Sequence, residues 1–370
     1  MKIAIIADAL DNQYAGIREY TLQLLKALAS FDHPHEVIAV RAKRGGLPPK
    51  ITEISIPFLQ FPLAQVYRLG WQLPRHLTRL GVDAVIEPRH VGPFNLPKHI
   101  KRATVIHDIS WWKYPQFHPF ASAQLQRNIV PRVLKRTDLV ITNSHFTTSE
   151  VAAQFPFCAD RICTAHIGRP EDFGPRNDPS LFNRFAIEGP YMLFVSTLEP
   201  RKNLAHLLEA YTLFRRKSQR PMPLILVGKE GWRNTAYQRA WERHPFRKDI
   251  RHLGYVTRDD LKSLYTHAAM FIYPSLYEGF GIPLLEAFAC ETPVITSNRS
   301  SLPEVGGDAA FYINPREPRQ SAQAMLSLSQ NEDLCRQLVE AGKKQLHQFS
   351  WVKTAQTILQ ALERTPPSGS

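Results

Sequence analysis

Short apolar runs alternate with amphipathic stretches along the whole chain. Runs rich in Val, Ile and Phe are typical of strands, and several are almost wholly apolar, as in a parallel sheet that helices cover on both faces. The stretches between them, such as REYTLQLLKALAS, LAHLLEAYTLFRRK and RDDLKSLYTHAA, repeat apolar residues at helical spacing. The predicted strands are KIAIIAD, HEVIAV, ITEISI, VDAVIE, RATVIHD, DLVITNS and RICTAHI in the first half, and YMLFVST, PLILVG, IRHLGY, MFIYPS, PVITSN and AAFYIN in the second.

This β–α alternation occurs twice, which predicts an α/β protein with two doubly wound, Rossmann-like domains. A Pro-, Gly- and Asp-rich stretch without periodicity, residues 167–180, predicts a linker. We therefore expect an N-terminal domain over residues 1–170 and a C-terminal domain over residues 171–350. Residues 351–370 would add a last helix, with the option of packing back on the N-terminal domain, and a disordered tail, TPPSGS. Ligands bind at the carboxyl ends of such strands, so two domains facing across a deep cleft would build one site.

Composition narrows the class of protein further. The chain is 44% hydrophobic and 21% charged, which is typical of a globular protein. No apolar run is long enough to cross a bilayer, and the start, MKIAIIAD, is interpreted as a strand because acidic residues close it and no cleavage site follows. This predicts a cytoplasmic location. The four cysteines, at 158, 163, 290 and 335, match no disulfide or zinc pattern and predict buried free thiols.

Positive charge is concentrated in the N-terminal half. Residues 1–170 contain 21 Lys and Arg against 12 Asp and Glu, or +9, which leaves 13 − 9 = +4 of the net +13 for the remainder. Such a balance predicts an anionic partner: nucleic acid, a lipid surface or a phosphorylated substrate. Residues 58–81 interleave aromatic residues with Arg68, Arg75 and Arg79. This segment either lies in a membrane interface or, by a narrow preference, is an ordinary helix with a basic outer face.

Two adjacent cations follow the predicted strand YMLFVST. Arg201 and Lys202 precede a helix that starts near Asn203, where cations oppose the helix dipole. A phosphate bound there would satisfy both the cations and the helix N–H groups, although a solvated basic turn is an equal alternative. Asn203 is predicted to be the N-cap.

The stretch LYEGFGIPLLEAF contains Glu278 and Glu286, neither of which has an obvious basic partner in sequence. Gly279 and Gly281 permit unusual dihedrals, and Pro283 suits the first turn of a helix. The two oxygens of a carboxylate match two vicinal hydroxyls, so we expect ligand hydroxyls to satisfy both glutamates. The alternatives are a first-turn glutamate that favours the helix dipole and an exposed loop glutamate.

Two residues at strand ends of the first domain are further candidates. His107 ends the strand RATVIHD and could bind a hydroxyl or phosphate or act in acid–base chemistry, against the alternative of a structural histidine. Gly16 precedes a helix, so its N–H could meet a phosphate. The chain has no G-x-G-x-x-G fingerprint after its first strand and no P-loop, which argues against hydride transfer and kinase-like chemistry.

Seven motifs together resemble one known family over essentially the whole chain. They are AGIREYT, VIHDIS, ITNSHFT, VSTLEPRKNL, GYVTRDDL, PSLYEGFGIPLLEAFACETPVITSN and SSLPEVGGDAAFYINP. In this order they resemble the retaining glycosyltransferases of family 4 in the GT-B superfamily, whose E-x7-E signature runs here from Glu278 to Glu286. The TLEPRKN variant is similar to a subset of bacterial polysaccharide mannosyl- and deoxyhexosyltransferases.

The resemblance implies a role for each motif residue. Arg201 and Lys202 would bind the donor diphosphate, and Gly16 would approach the donor phosphate. Glu286 would bind the ribose, and the backbone at Val256 would contact the base. The transferred sugar would lie beside His107 and contact Glu278, with the backbone of Gly279, Phe280, Gly281 and Ile282 nearby. Many members have Gly-Arg where this chain has Ser196 and Thr197. We expect Arg201 or Arg18 to carry part of the missing charge.

The activity implied is transfer of a hexose, with retention and without a metal or other cofactor. We favour GDP-mannose as donor and a glycan or lipid-pyrophosphate-linked glycan as acceptor, bound mainly to the first domain at the inner face of the cytoplasmic membrane. No acidic cluster at a strand end offers oxygen ligands to a divalent ion, and no nucleophile for a double displacement is identified, which favours front-face attack.

Alternatives remain on the sequence alone. The same site could take a rhamnosyl, fucosyl or UDP-hexose donor, and a nucleotide-sugar epimerase could share the architecture. A nucleic-acid binder is suggested by charge only, because no recognisable binding module accompanies it.

Overall fold

The computed structural model describes residues 1–11, 15–59, 61, 63–232 and 235–366. The chain divides into two compact units. The first contains Met1–Ile109, Gln124–Gly168 and the C-terminal segment from Ser350; the second contains Ser110–Ala123 and Arg169–Phe349.

The first unit is built on a parallel sheet with the strand order β3-β2-β1-β4-β5-β6-β7. Its order reverses beside β1, which makes the sheet doubly wound. The strands are β1 (Lys2–Ile6), β2 (Glu36–Arg41), β3 (Thr52–Ser55), β4 (Ala84–Glu87), β5 (Lys101–Ile106), β6 (Leu139–Thr142) and β7 (Ile162–Thr164).

The second unit repeats this plan with the strand order β10-β9-β8-β11-β12-β13, again parallel throughout. The strands are β8 (Tyr191–Val195), β9 (Leu224–Val227), β10 (Ile250–Gly254), β11 (Ala268–Tyr273), β12 (Val294–Ser297) and β13 (Ala310–Ile313). All predicted strands are therefore confirmed, and so is the fold class.

Helices connect the strands and cover the sheets. Every residue of β4, β6, β8, β9 and β12 is buried, which explains why those runs are apolar without alternation. The α-helices among the described residues are α1 (Ala15–Ser30), α2 (Ala64–Tyr67), α3 (Leu73–Arg79), α4 (Ser110–Lys113), α5 (Phe120–Lys135), α6 (His145–Gln154), α7 (Ser180–Arg184), α8 (Leu204–Lys217), α9 (Thr235–Glu242), α10 (Arg258–Thr266), α11 (Ile282–Ala289), α12 (Leu302–Gly306), α13 (Pro318–Gln330), α14 (Glu332–Leu346) and α15 (Trp351–Arg364).

The predicted domain range 1–170 needs one correction. Residues 110–123 group with the second unit although they lie far from it in sequence. An aromatic contact and a hydrogen bond join these residues to the rest of the second unit. The Tyr114 ring packs edge-on against Tyr277 at 5.3 Å between centroids, and Trp232 Nε1 donates to the carbonyl of Phe117 at 2.6 Å.

The predicted linker is also different in the structure. The chain passes from one unit to the other at Gly168, and the residues that follow are docked on the second unit. Asp172 accepts a hydrogen bond from Arg258 at 2.6 Å, and the backbone N–H of Arg176 donates to Thr266 at 3.0 Å. Pro and Gly content therefore correctly indicated irregular backbone at the boundary, but most of the segment packs on the second unit instead of joining two domains as a separate linker.

Helix α15 packs within the first unit. The Trp351 ring lies edge-on against Tyr20 at 5.5 Å, and Lys101 Nζ donates to the carbonyl of Leu362 at 3.1 Å. The end of the predicted disordered tail, residues 367–370, lies outside the described residues. Among the described residues, no helix combines the length and the apolar character that a membrane span requires. All four cysteines are free thiols, and two of them, Cys158 and Cys290, are buried.

Candidate active site

Glu278 is at the centre of a charged cluster on the carboxyl edge of the second sheet. It follows β11, is only 5% exposed, and accepts from Lys202 Nζ at 2.6 Å and from Arg201 Nη1 at 2.7 Å. Burial alone would raise the pKa of this carboxyl, but the charges of Arg201 and Lys202 lower it to about 2. Glu278 therefore has two basic partners that were not evident in the sequence, and the alternative of an exposed loop glutamate is wrong. Its contact with ligand hydroxyls stays a prediction.

Arg201 and Lys202 belong to a 3₁₀ turn, Pro200–Lys202, between β8 and α8. Arg201 also pairs through Nε with the buried carboxylate of Glu199 at 2.5 Å. Lys202 is 5% exposed and donates a second hydrogen bond to Tyr273 Oη at 2.7 Å. Its pKa is lowered, first by burial and then by the charge of Arg201.

Glu199, Arg201, Lys202 and Glu278 form what we call the four-charge cluster, whose two positive and two negative charges balance. Lys202 is therefore not part of a solvated basic turn. An ammonium has three donors and a guanidinium five, so both cations keep bonding capacity beyond their carboxylate partners. The cluster can orient its cations before a ligand arrives.

Asn203 has a different role from the predicted one. It precedes α8 with φ at +64°, a left-handed conformation that asparagine tolerates better than most residues. Its side chain does not cap the helix; Nδ2 donates instead to the carbonyls of Pro274 at 3.1 Å and Pro315 at 2.6 Å. Asn203 thus joins three loops at the carboxyl edge of the sheet.

The turn from Glu278 to Gly281 is held by serines that the sequence did not single out. Ser301 Oγ lies 3.0 Å from the carbonyl oxygen of Glu278 and 2.6 Å from that of Phe280, and its one proton is shared between them. Ser300 Oγ accepts from the backbone N–H of Glu278 at 3.0 Å. Gly281 has φ at +120°, and a Cβ there would come within 2.8 Å of Leu302 Cδ2. The backbone conformation therefore favours glycine at this position, and a larger residue would also have to displace the Leu302 side chain.

The rest of the glutamate motif has the predicted local structure. Gly279 and Phe280 are buried, Ile282 begins α11, and Pro283 lies in its first turn. Glu286 is half-buried on α11, and its Oε2 accepts from Tyr265 Oη at 3.1 Å. Tyr265 was missed because it precedes the motif on another helix and only the fold brings it here.

Three further features lie at the same edge. Val256 is half-buried in the loop after β10. Gly228, which follows β9 with φ at +134°, lies so close to the β8 loop that a Cβ would meet the carbonyl oxygen of Ser196 at 1.9 Å. The neighbouring Lys229 is exposed, with Nζ 5.3 Å from the centre of the Tyr255 ring. Lys229 is thus a further cation at this edge, and no motif in the sequence indicated it.

In the first unit, His107 follows β5 at the carboxyl edge of the sheet. Its Nε2 lies 2.9 Å from the carbonyl oxygen of Pro88, which can only accept, so Nε2 carries the proton. Burial lowers the pKa of His107, which favours the neutral ring and leaves Nδ1 as an acceptor. The ring packs edge-on against Tyr20 at 5.0 Å.

The remaining predicted residues of the first unit lie on two helical segments. Gly16 is the second residue of α1, and Gly16 and Arg18 are both exposed in its first turn. Arg68, by contrast, is not on a basic outer face. It is 1% exposed and forms a two-point ion pair with Asp8 at 2.6 and 2.7 Å.

Comparison with known proteins agrees with this fold. The model for Glycosyltransferase Family 4 matches residues 14–172, and the model for Glycosyl transferases group 1 matches residues 180–345. The chain is 35% identical to the O-antigen chain mannosyltransferase B of Escherichia coli over 97% of this chain and 98% of that protein. Two solved structures each cover 98% of this chain: sucrose-phosphate synthase from Thermosynechococcus elongatus (98% of that chain, TM-score 0.77, 18% identity) and HepE from Anabaena in complex with UDP-glucose (99% of that chain, TM-score 0.75, 16% identity).

These matches define the class of protein. The chain belongs to the GT-B glycosyltransferases of family 4, with a Family 4 domain followed by a group 1 domain. The residues of the E-x7-E motif and the four-charge cluster fall within the group 1 match, and His107, Gly16 and Arg18 fall within the Family 4 match.

Proposed function

We propose that this protein transfers a mannosyl residue from GDP-mannose to a glycan or lipid-linked glycan during synthesis of an O-antigen-like surface polysaccharide. The similarity to an O-antigen chain mannosyltransferase extends over both units, and this supports the sugar and the type of product. A nucleotide-sugar donor is also consistent with the fold, since one structural relative was solved with UDP-glucose.

The four-charge cluster is the main structural support for a donor diphosphate site at this edge. Lys202 is held by Glu278 and Tyr273, and Arg201 by Glu199 and Glu278, so both cations are fixed before a diphosphate binds. Preorganised charges stabilise the negative charge that develops on a leaving diphosphate without a reorganisation cost at the moment of reaction. Glu278 thus has two roles: it positions the cations that bind the diphosphate, and it contacts the donor sugar.

The reaction proceeds on one face of the sugar and without a metal. The bond between the anomeric carbon and the phosphate oxygen breaks, and the acceptor oxygen bonds to the same face of that carbon. The proton of the acceptor hydroxyl passes to the leaving phosphate oxygen. His107, neutral and with Nδ1 as acceptor, takes a hydrogen bond from a hydroxyl of the transferred sugar.

The other predicted residues position the nucleotide. Tyr265 fixes one oxygen of Glu286, so the carboxylate is oriented toward the ribose hydroxyls. The backbone at Val256 contacts the base, and Gly16, with Arg18 or Lys229 as additional cations, approaches the phosphates. Arg201 alone is a weaker substitute for a missing arginine, because two carboxylates already share its charge.

The test begins with thermal shifts in UDP, GDP, dTDP and ADP, because a ligand that binds only the folded state raises the melting temperature. GDP should give the largest shift. Lys202→Met should weaken it by about 10-fold or more in affinity, the effect of a lost hydrogen bond to a charged group. Lys217→Met, an exposed lysine at the end of α8, is the matched control. A larger shift with another nucleotide would overturn the GDP assignment.

Product analysis separates the remaining alternatives. With GDP-mannose and acceptor, the product should keep the anomeric configuration of the donor, and turnover should persist in EDTA. Loss of donor without acceptor would instead favour an epimerase. His107→Ala and Glu278→Ala should each lose most turnover, and near-normal rates in both would refute the site.

The proposal includes docking on an anionic membrane surface. Seven large apolar side chains between positions 58 and 71 are exposed, although Arg68 among them is buried. Arg75 lies over the Trp71 ring at 5.5 Å and places a cation at the rim of this patch. The unchanged protein should float with phosphatidylglycerol vesicles, and Leu63→Ser/Trp71→Ser should not. If the unchanged protein does not float at low salt, the membrane-docking proposal is wrong. The exposed apolar residues are Phe58, Leu59, Phe61, Leu63, Val66, Tyr67 and Trp71.

A further inference from the structure

A second concentration of positive charge lies in the first unit, near the amino end of β5. A cavity of about 370 Å³ opens there between β5 and α5. Four of its lining residues are cations and three are apolar, and no carboxylate lines it among the described residues. This basic pocket is lined by Phe94, Arg102, Ile129, Arg132, Val133, Lys135 and Arg136.

Arg102 is the residue that a solvated basic surface does not explain. It is 3% exposed, and its Nε and Nη2 have no hydrogen-bond partner among the described residues. A buried guanidinium with unpaired N–H groups is costly unless something in the site accepts from them. Arg102 also lines the pocket, so an anion bound there would lie beside its guanidinium and offset its charge.

Carboxyl groups near Arg102 compensate for its charge only in part. Asp138 accepts from the backbone N–H of Arg102 at 2.7 Å, not from its side chain. Glu87 is buried, and burial raises its pKa to about 8, so it is mostly protonated at neutral pH. The neighbouring Arg136 repels Arg102, and this repulsion is among the causes, after burial, that lower the pKa of Arg102 to about 10.

The other three cations are exposed and have no carboxylate partner among the described residues. Arg132 and Lys135 lie in the last turn of α5, where cations favour the helix dipole. That effect accounts for neither Arg136, which follows the helix, nor the buried Arg102. Four cations that converge on one cavity repel one another, and an anion between them relieves this repulsion.

We propose that the basic pocket binds a phosphate group carried on an apolar or sugar-like body. Guanidinium groups match the geometry of phosphate oxygens, and Phe94, Ile129 and Val133 offer an apolar wall to the group that carries the phosphate. The volume lies within the range of small-molecule sites. Arg102 is five residues before His107 on β5, about 16 Å at 3.3 Å per residue, so this site is separate from the strand end that holds His107.

Equilibrium dialysis with radiolabelled inorganic phosphate tests the pocket directly. The donor site can bind phosphate too, so the measured quantity is the number of phosphates bound per chain. The unchanged protein should bind one more than Arg132→Gln/Lys135→Gln/Arg136→Gln, or bind it about 10-fold or more tightly, given the cost of losing a charged hydrogen bond. All three positions are exposed, so this variant should fold.

A matched control removes the same charges elsewhere. Arg216, Lys217 and Arg220 are also two arginines and one lysine, all exposed, at the end of α8. Arg216→Gln/Lys217→Gln/Arg220→Gln should leave phosphate binding unchanged. Equal binding by the unchanged protein and the pocket variant, or equal losses in both variants, would overturn the proposal. Loss of the donor site would leave this difference intact, so the two proposals fail separately.

Vesicles distinguish the source of the phosphate. Phosphatidylcholine vesicles with phosphatidic acid offer a lipid phosphate, and flotation measures binding. Flotation that the pocket variant loses and the control variant keeps assigns the pocket to a lipid headgroup. Dialysis binding without this difference in flotation assigns it to a soluble phosphate ester. No pocket-dependent binding in either assay would exclude a phosphate site.

Discussion

At the carboxyl edge of the second sheet, Arg201 and Lys202 lie against two buried carboxylates, whereas near the amino end of β5 in the first sheet Arg102 lies among further cations. Each place holds one buried cation, Lys202 or Arg102, beside at least one further cation. In the first, the charge is balanced without a ligand; in the second, it is not. The number of cations at a site therefore says little about whether it binds an anion. The number of carboxylates that already pair with those cations says more.

The largest effect should follow removal of the carboxylate that both cations share. Glu278→Gln leaves Lys202 buried without its ion-pair partner and should lower the free energy of unfolding by about 3–5 kcal/mol. Urea unfolding followed by fluorescence measures this. Glu340→Gln, which loses an exposed ion pair with Lys343, should cost at most about 1 kcal/mol.

A double variant separates pairing from packing. If the cost arises from the unpaired ammonium, Lys202→Met/Glu278→Gln should be more stable than Glu278→Gln alone. Equal stability of Glu278→Gln and the unchanged protein would mean that the four-charge cluster does not balance its own charges, and the contrast with Arg102 would disappear.

Lowering the pH should remove the stabilisation that the four-charge cluster gives to the fold, and it should do so within a defined pH range. In the folded protein the pKa of Glu278 is about 2, against an ordinary value of 4.5, so the ionised carboxylate stabilises the fold above pH 4.5. This contribution is lost as pH falls from 4.5 toward 2 and should be smaller by about 2 kcal/mol at pH 3. The measurement is the difference in unfolding free energy between the unchanged protein and Glu278→Gln at pH 7 and pH 3. A difference that does not change with pH would contradict the low pKa.

The turn that carries Glu278 should be less sensitive than the charge itself. Ser301→Ala removes the hydroxyl whose one proton is shared between the carbonyls of Glu278 and Phe280, and it should cost about 1–2 kcal/mol. Ser149→Ala, which removes an exposed bond to the carbonyl of His145 within α6, is the control and should be nearly neutral. A neutral Ser301→Ala in thermal melts would show that the turn is held by other contacts.

The pattern of apolar runs predicted the fold well because each strand is recognised from residues that are adjacent in sequence. Each buried strand is an apolar run, and parallel β–α repeats leave few other topologies. The position of Glu278 at a strand end followed for the same reason. Its partners did not, because Arg201 and Lys202 are 77 and 76 residues away in sequence and meet Glu278 only through the pairing of β8 with β11.

Other site residues were out of reach for similar reasons. Asn203 and Ser300 have left-handed conformations and make hydrogen bonds to residues distant in sequence, which local residue types do not predict. Tyr265 reaches Glu286 from another helix. The basic pocket joins β5 to the end of α5, and the sequence showed only that the first half of the chain is basic.

The smallest effect on stability should come from the buried arginine itself. Arg102→Met removes a side chain with unpaired N–H groups and replaces it with an apolar one of similar length, so the free energy of unfolding should stay within about 1 kcal/mol or rise. Phosphate binding at the basic pocket should be lost at the same time. Urea unfolding without phosphate and dialysis with phosphate measure the two quantities on one variant. A loss of stability as large as that of Glu278→Gln would show that Asp138 and Glu87 already balance Arg102, and the two regions would then differ in their position in the fold but not in their chemistry.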